Sequence, residues 1–184
     1  MNKQSITQLT DNKWLNLYVK DTLAGKYYFA TRRSGESIGK IGVIDGVKIL
    51  PYFEENGKTK VIIIKEYRYP INGYIYELPA GLVEKGENIH SAVSREFDEE
   101  VGGEVLEISE PYGGLSSAGM TDEYLNCYFV KVKPNGKQNL EVDEDISVII
   151  IDIDDIPEII KNEAFCMISK LMLLAFYERK RGEE

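Results

Sequence analysis

The run Val61-Ile62-Ile63-Ile64, inside TKVIIIKEYRY, restricts the fold more than any other feature of the chain. Successive strand side chains point to opposite faces, so consecutive β-branched apolar residues leave neither face polar. Such a segment is stable only as a central strand with cover above and below. Around it, residues 13–20 and 26–32 read as a hairpin about Leu23-Ala24-Gly25. Strands at 40–50 and 59–69 are joined through Glu55-Asn56-Gly57-Lys58, where Asn-Gly marks a tight turn. Tyr74 to Leu78 is a short strand stopped by Pro79, and Gly81 and Gly86 punctuate a loop. Over 88–101, Ile89, Ala92, Val93 and Phe97 recur near the helical period, with Gly102 as a left-handed stop. Strands are predicted at about 104–109, 123–132 and 146–152, a short helix from Asp154 or Asp155 with Pro157 in its first turn, and a last amphipathic helix over 164–180. Strands and helices are mixed, not strictly alternating. The expected class is α/β, a mixed sheet covered by helices on both sides. A length of 184 residues fits one domain with a small appendage. We place an N-terminal β-hairpin extension, a possible dimerisation element, at 1–38 and the main domain at 39–184.

The formal net charge is -9, and basic residues cluster only in short pieces such as Arg32-Arg33 and Lys180-Arg181. A nucleic-acid polymer is therefore not an expected partner. An acidic protein that handles phosphates needs a local positive charge, and a metal ion is one source. Cys127 and Cys166 stand far apart without paired spacing and read as buried small apolar residues. No N-terminal apolar signal segment is visible. The most apolar stretch, 167–177, is too short to span a bilayer and is broken by Ser169-Lys170. The expected setting is a reduced cytoplasm, with no membrane partner.

The stretch GLVEKGENIHSAVSREFDEEVGG, 81–103, concentrates charge of one sign. On a helix Glu96, Glu99 and Glu100 share one face, while Asp98 points elsewhere. Repulsion on that face is relieved by protonation, by a neighbouring cation or by a bound divalent ion, and a solvated acidic face is the bland alternative. Hard ions such as magnesium take oxygen ligands and keep several waters, which suits carboxylates meeting a phosphate. The surroundings favour the metal. Gly81, Glu87, Arg95-Glu96, Phe97, Glu99-Glu100 and Gly102 occupy G-x5-E-x7-R-E-U-x-E-E-x-G-U in register, where U is bulky and apolar.

This pattern resembles the signature of the Nudix hydrolases, which cleave a nucleoside diphosphate linked to another moiety. One position departs from it: the final U is Gly103, expected to loosen packing where the chain leaves the helix. The resemblance implies a Nudix α/β/α sandwich, with Mg2+ as cofactor and Mn2+ as a possible substitute. It implies Glu96 and Glu100 as direct metal ligands, Glu99 as a ligating or bridging group, and the Ala80 carbonyl as a further donor. Arg95 would hold a carboxylate in place. Gly81 would let the loop pack close to the helix, and Glu87 would anchor the loop or touch a metal. Upstream, KEYRYPINGYIYELPAG looks like the ADP-ribose pyrophosphatase branch, so Arg68 is a candidate phosphate contact or a plain surface residue. Glu77 is read as touching the ligand or pairing with an arginine, and Tyr67 and Tyr69 as packing residues. Downstream, SSAGMTDE looks like the family's loop around Gly119, with Ala118 where that group usually carries proline. In LEVDEDI, Glu144 is the first candidate base and Glu141 the second, against a solvated loop.

His90 is read as a solvent-facing helical residue. Trp14, Tyr27, Tyr28 and Phe29 are read as interface or core packing, with stacking on an adenine as the alternative. The activity implied is magnesium-dependent hydrolysis of a nucleoside diphosphate sugar, with ADP-ribose giving AMP and ribose 5-phosphate, by a homodimer. Alternatives are another sugar nucleotide such as GDP-mannose, an oxidised nucleoside triphosphate, or a non-catalytic sensing module. Isoprenoid isomerisation needs extra histidine ligands, and one histidine cannot supply them.

Overall fold

In the computed structural model, which describes residues 5–142, 144–162 and 164–183, the chain opens with β1 (Ile6–Gln8), β2 (Asn16–Thr22) and β3 (Gly25–Thr31). Then follow β4 (Gly46–Glu55), β5 (Lys58–Arg68), β6 (Gly73–Glu77) and β7 (Ala80–Leu82). Helix α1 (Ile89–Glu100) precedes β8 (Gly103–Ile108), β9 (Tyr112–Leu115), β10 (Tyr124–Pro134) and β11 (Ile146–Asp152). The chain ends in α2 (Ile156–Asn162) and α3 (Met167–Glu183). The first three strands form one sheet and the rest an eight-stranded sheet with the main order β11-β5-β4-β10-β8.

β5 lies between β11 and β4, as its apolar run requires. Ile62 and Ile64 enter a core with Ala92, Val93 and Phe97 of α1, while Val61 and Ile63 enter a second core with Ile156 of α2 and Leu173 and Phe176 of α3. The sheet thus has a helical layer on each face, an α/β fold. Asn56 and Gly57 turn β4 into β5 with φ of 52° and 76°, the paired positive values that a two-residue hairpin favours. Asn88 caps α1 by accepting from the His90 N–H, and Gly102 leaves the helix at φ 84°.

The chain divides into two compact units, one from the residues up to Asp45 together with Gly113–Asn126, the other from Gly46–Tyr112 and Cys127 onward. In the first unit the expected strand over 40–45 does not form. The buried Arg33 guanidinium takes the carbonyls of Lys40 and Val43 at 2.7 and 2.6 Å and pairs with Asp45. Those acceptors are lost to a strand ladder. Strands β1, β7 and β9 carry no strong sequence pattern and are additions to the expected list.

Gly103 does not loosen the helix exit. It sits at φ 139°, and a Cβ there would stand 2.4 Å from the Lys133 carbonyl oxygen. The usual aliphatic residue is excluded by a close backbone approach. Both cysteines are half-buried and not fully inside. Trp14, Tyr27 and Tyr28 are exposed, so core packing within this chain is ruled out for them. Tyr69 is exposed too, though its ring meets Tyr67 edge-on at 5.3 Å. Among the described residues, no helix is long and apolar enough to cross a membrane.

Candidate active site

Residues 80–100 build the site in the second unit around one guanidinium. Arg95 Nε donates to Glu87 Oε1 at 2.9 Å and Nη2 to Glu87 Oε2 at 3.1 Å. Nη1 donates to Glu96 Oε1 at 2.8 Å and Glu99 Oε2 at 2.9 Å, and Nη2 also reaches the Leu82 carbonyl at 2.9 Å. The planar fork of arginine allows this many fixed donors, which a lysine cannot match. Glu87 in turn accepts from the Glu84 N–H at 2.9 Å, so the loop before α1 is tied to the middle of the helix. Glu87 anchors the loop and is wholly engaged in doing so.

Glu96 and Glu100 are buried, at 7% and 3% exposure. The Glu96 carboxylate fills the space beside Gly81, where a Cβ would stand 2.0 Å from its Cδ. Glu100 Oε2 accepts from the Ala80 N–H at 3.2 Å. Glu99 is more open and lies on the Arg95 side, and Asp98 is turned away to receive the Gly103 N–H at 3.1 Å. Gly81→Ala is expected to push Glu96 from its seat while leaving the protein folded. Turnover should fall about tenfold, and near-normal kinetics would show that the seat does not matter.

Burial drives the Glu96 carboxyl up to about 7, with the charges of Glu99 and Glu144 adding to the effect against Arg95. Glu100 is raised well above the usual carboxylate range, first by burial and then by Glu66, Glu96 and Glu144. Glu66 is raised to about 7, again by burial first. Thus Glu66, Glu96, Glu100 and Glu144 repel one another inside a poorly solvated site. An all-oxygen donor set with surplus negative charge fits a hard divalent cation. The side chains are not gathered in advance, however. Among the described residues, no group of three or more acidic, histidine or cysteine side chains has the arrangement to hold a metal ion. Of the expected set of Ala80, Glu96, Glu99 and Glu100, Arg95 occupies Glu96 Oε1 and Glu99 Oε2.

Arg68, at the end of β5, is part-exposed and paired with two acids, Glu66 Oε1 at 2.6 Å and Glu77 Oε1 at 2.6 Å. Glu77 is buried and has both oxygens engaged, the second by Lys48 at 3.0 Å. Of the two expected bases, Glu144 is partly buried and its charge is felt by Glu66, Glu96 and Glu100, whereas Glu141 is exposed. The two are linked by the Glu141 N–H donating to Glu144 Oε2 at 2.9 Å. Asp143 of the same segment lies outside the described residues. Gly119 belongs to the first unit, where its carbonyl accepts from the Tyr27 hydroxyl at 2.6 Å. His90 is exposed, as expected.

Glu66 and Lys48 were not anticipated. A signal for Glu66 existed: Ile62, Ile64 and Glu66 alternate onto one face of β5, and Ile62 and Ile64 pack towards α1. Lys48 between Val47 and Ile49 was a weaker signal, because only burial distinguishes it from an edge lysine.

Residues 44–171 match the NUDIX domain. The chain belongs to the Nudix family. The chain spans 52% to 74% of the length of the first relatives it matches. It is 25% identical over 146 residues to a Bacillus subtilis protein named ADP-ribose pyrophosphatase, covering 79% of this chain and 74% of that one. It is 28% identical over 164 residues to a Saccharomyces cerevisiae protein of the same name, covering 83% and 70%. It is 31% identical over 108 residues to a Bacillus methanolicus methanol dehydrogenase activator, where the match spans 58% of each chain.

Proposed function

We propose that the protein hydrolyses the diphosphate of a nucleoside diphosphate sugar with magnesium as cofactor, and that ADP-ribose, split to AMP and ribose 5-phosphate, is its substrate. The observation that carries this is the pair of buried carboxylates, Glu96 beside Gly81 under the Arg95 clamp and Glu100 accepting from the Ala80 N–H, with Arg68 at the neighbouring strand end. Two relatives named ADP-ribose pyrophosphatase support the substrate class. Bound magnesium supplies charge neutralisation for the diphosphate and a water acidic enough to attack phosphorus near neutral pH. Glu96, Glu100, Glu99 and the Ala80 carbonyl would hold it. Arg95 orients Glu96 and Glu99, and Arg68 takes a phosphate oxygen. Glu144 takes the proton of the attacking water as the bridging P–O bond breaks, with Glu141 second in line.

The test is a coupled assay of the purified protein for AMP release from ADP-ribose, with magnesium, manganese or chelator, beside GDP-mannose and an oxidised nucleoside triphosphate. Absence of metal-dependent release across the panel would remove the reading and favour a sensing module. A preference for GDP-mannose would keep the chemistry and move the substrate, as Ala118 in place of proline allows. A cytoplasmic homodimer completes the proposal. The exposed Trp14, Tyr27 and Tyr28 are surfaces suited to a second copy, and sedimentation of the same preparation as a monomer would remove that part.

A further inference from the structure

β4 alternates between the two helical layers. Val47 and Ile49 belong to the core against α1, and Leu50 to the core against α3. By the same alternation Lys48 faces the α3 layer, where an aliphatic residue would satisfy the packing. It is instead a lysine at 4% exposure. A buried ammonium is strongly destabilising unless its donors are met. Here they are met by Glu77 Oε2 at 3.0 Å, the Leu78 carbonyl at 3.3 Å and Ser169 Oγ at 3.4 Å. Ser169, fully buried on α3, also accepts from the Leu78 N–H at 3.1 Å. Both backbone polar groups of Leu78 are therefore gripped by this pair, two residues before Ala80. The other Glu77 oxygen accepts from Arg68 Nε at 2.6 Å. A continuous ladder, Ser169–Lys48–Glu77–Arg68, joins α3 to the part-exposed cation at the site.

We infer that Lys48, seated by Ser169, is a positioning residue for Arg68: it holds one oxygen of Glu77, so that Arg68 meets Glu77 through Nε alone and Glu66 through Nη1, and Nη2 is left for a substrate phosphate. Without Lys48 both Glu77 oxygens face the guanidinium, and carboxylates draw arginine into a two-bond pair when they can. Arg68 would then turn inward. The assignment rests on the hydrolase reading above for the phosphate and on the geometry alone for the ladder.

Kinetics and NMR of the full chain test it together. Lys48→Met is expected to raise KM for ADP-ribose about tenfold, with kcat within threefold of wild type. In an Arg68→Ala background the same change should add nothing to KM. In arginine-labelled protein, the Arg68 Nε–H resonance, assigned by its loss in Arg68→Ala, should be slow to exchange in the wild type and should shift in Lys48→Met. An unchanged KM, effects of Lys48→Met and Arg68→Ala that simply multiply, or an unmoved Nε–H resonance overturns the assignment. Should Lys48→Met fail to fold, Ser169→Ala, which unseats Lys48 while keeping the Glu77 carboxylate, should raise KM severalfold and shift the same resonance, and no change in either overturns it. Wild-type protein without hydrolysis would sink the hydrolase reading by itself, and the resonance would then decide the ladder.

Discussion

Glu100→Gln is expected to lower kcat at least 100-fold, roughly 3 kcal/mol or more of transition-state stabilisation, while the protein stays folded. The reason is that glutamine copies the shape of the protonated carboxyl but cannot offer two anionic oxygens to a cation. The same argument predicts the stability. Burial raises the Glu100 carboxyl well above its ordinary value, so the metal-free folded state binds this proton more tightly than the unfolded chain does. Stability from such a group is fully present below the unfolded value, near 4.5, and is lost as pH rises through the folded one. Metal-free wild type should therefore melt at progressively lower temperature from pH 5 to pH 8. Glu100→Gln should lose less over that range and equal or exceed wild type at pH 8. Magnesium should raise the wild-type melting temperature most at pH 8, where the carboxylates are ionised, and should raise that of the variant little. Thermal melts at the two pH values, with and without magnesium, measure all of this. Near-normal turnover in the variant, or equal magnesium shifts in both proteins, would mean that the cation binds elsewhere.

Arg95→Met should do damage of another kind. Five hydrogen bonds converge from Arg95 on Glu87, Glu96, Glu99 and the Leu82 carbonyl. Removing the cation leaves Glu96 buried beside Gly81 with no counter-charge and frees the loop that Glu87 ties down. A cost of about 3 kcal/mol is in keeping with breaking a largely buried charge network from one side, together with a loss of activity of 100-fold or more from misplaced carboxylates. Lys at this position should recover little, because one ammonium cannot serve two edges of Glu87, two further carboxylates and a carbonyl. Urea unfolding monitored by circular dichroism, with turnover measured on the same samples, checks both figures. A destabilisation below 1 kcal/mol would show that solvent already screens the network.

The amino-acid sequence alone determined the central strand, the tight turn at Asn56-Gly57, the span of α1 and the spacing of the acidic residues on it. These follow from local rules: side-chain alternation at Val61–Ile64, positive φ at an Asn-Gly pair, and the helical period ending at Gly102. The resemblance of 81–103 to the Nudix signature came from fixed spacing in one continuous segment, so it too was legible. Only the tertiary structure decided which charges are buried and with whom. Arg33 removes the expected strand at 40–45 through a long-range pairing with Asp45, Lys48 reaches Ser169 from a strand far away in the chain, and Glu66 joins the carboxylates of α1 through the sheet. Ion pairing and desolvation depend on distance in space and on the exclusion of water, and neither quantity is written in local sequence.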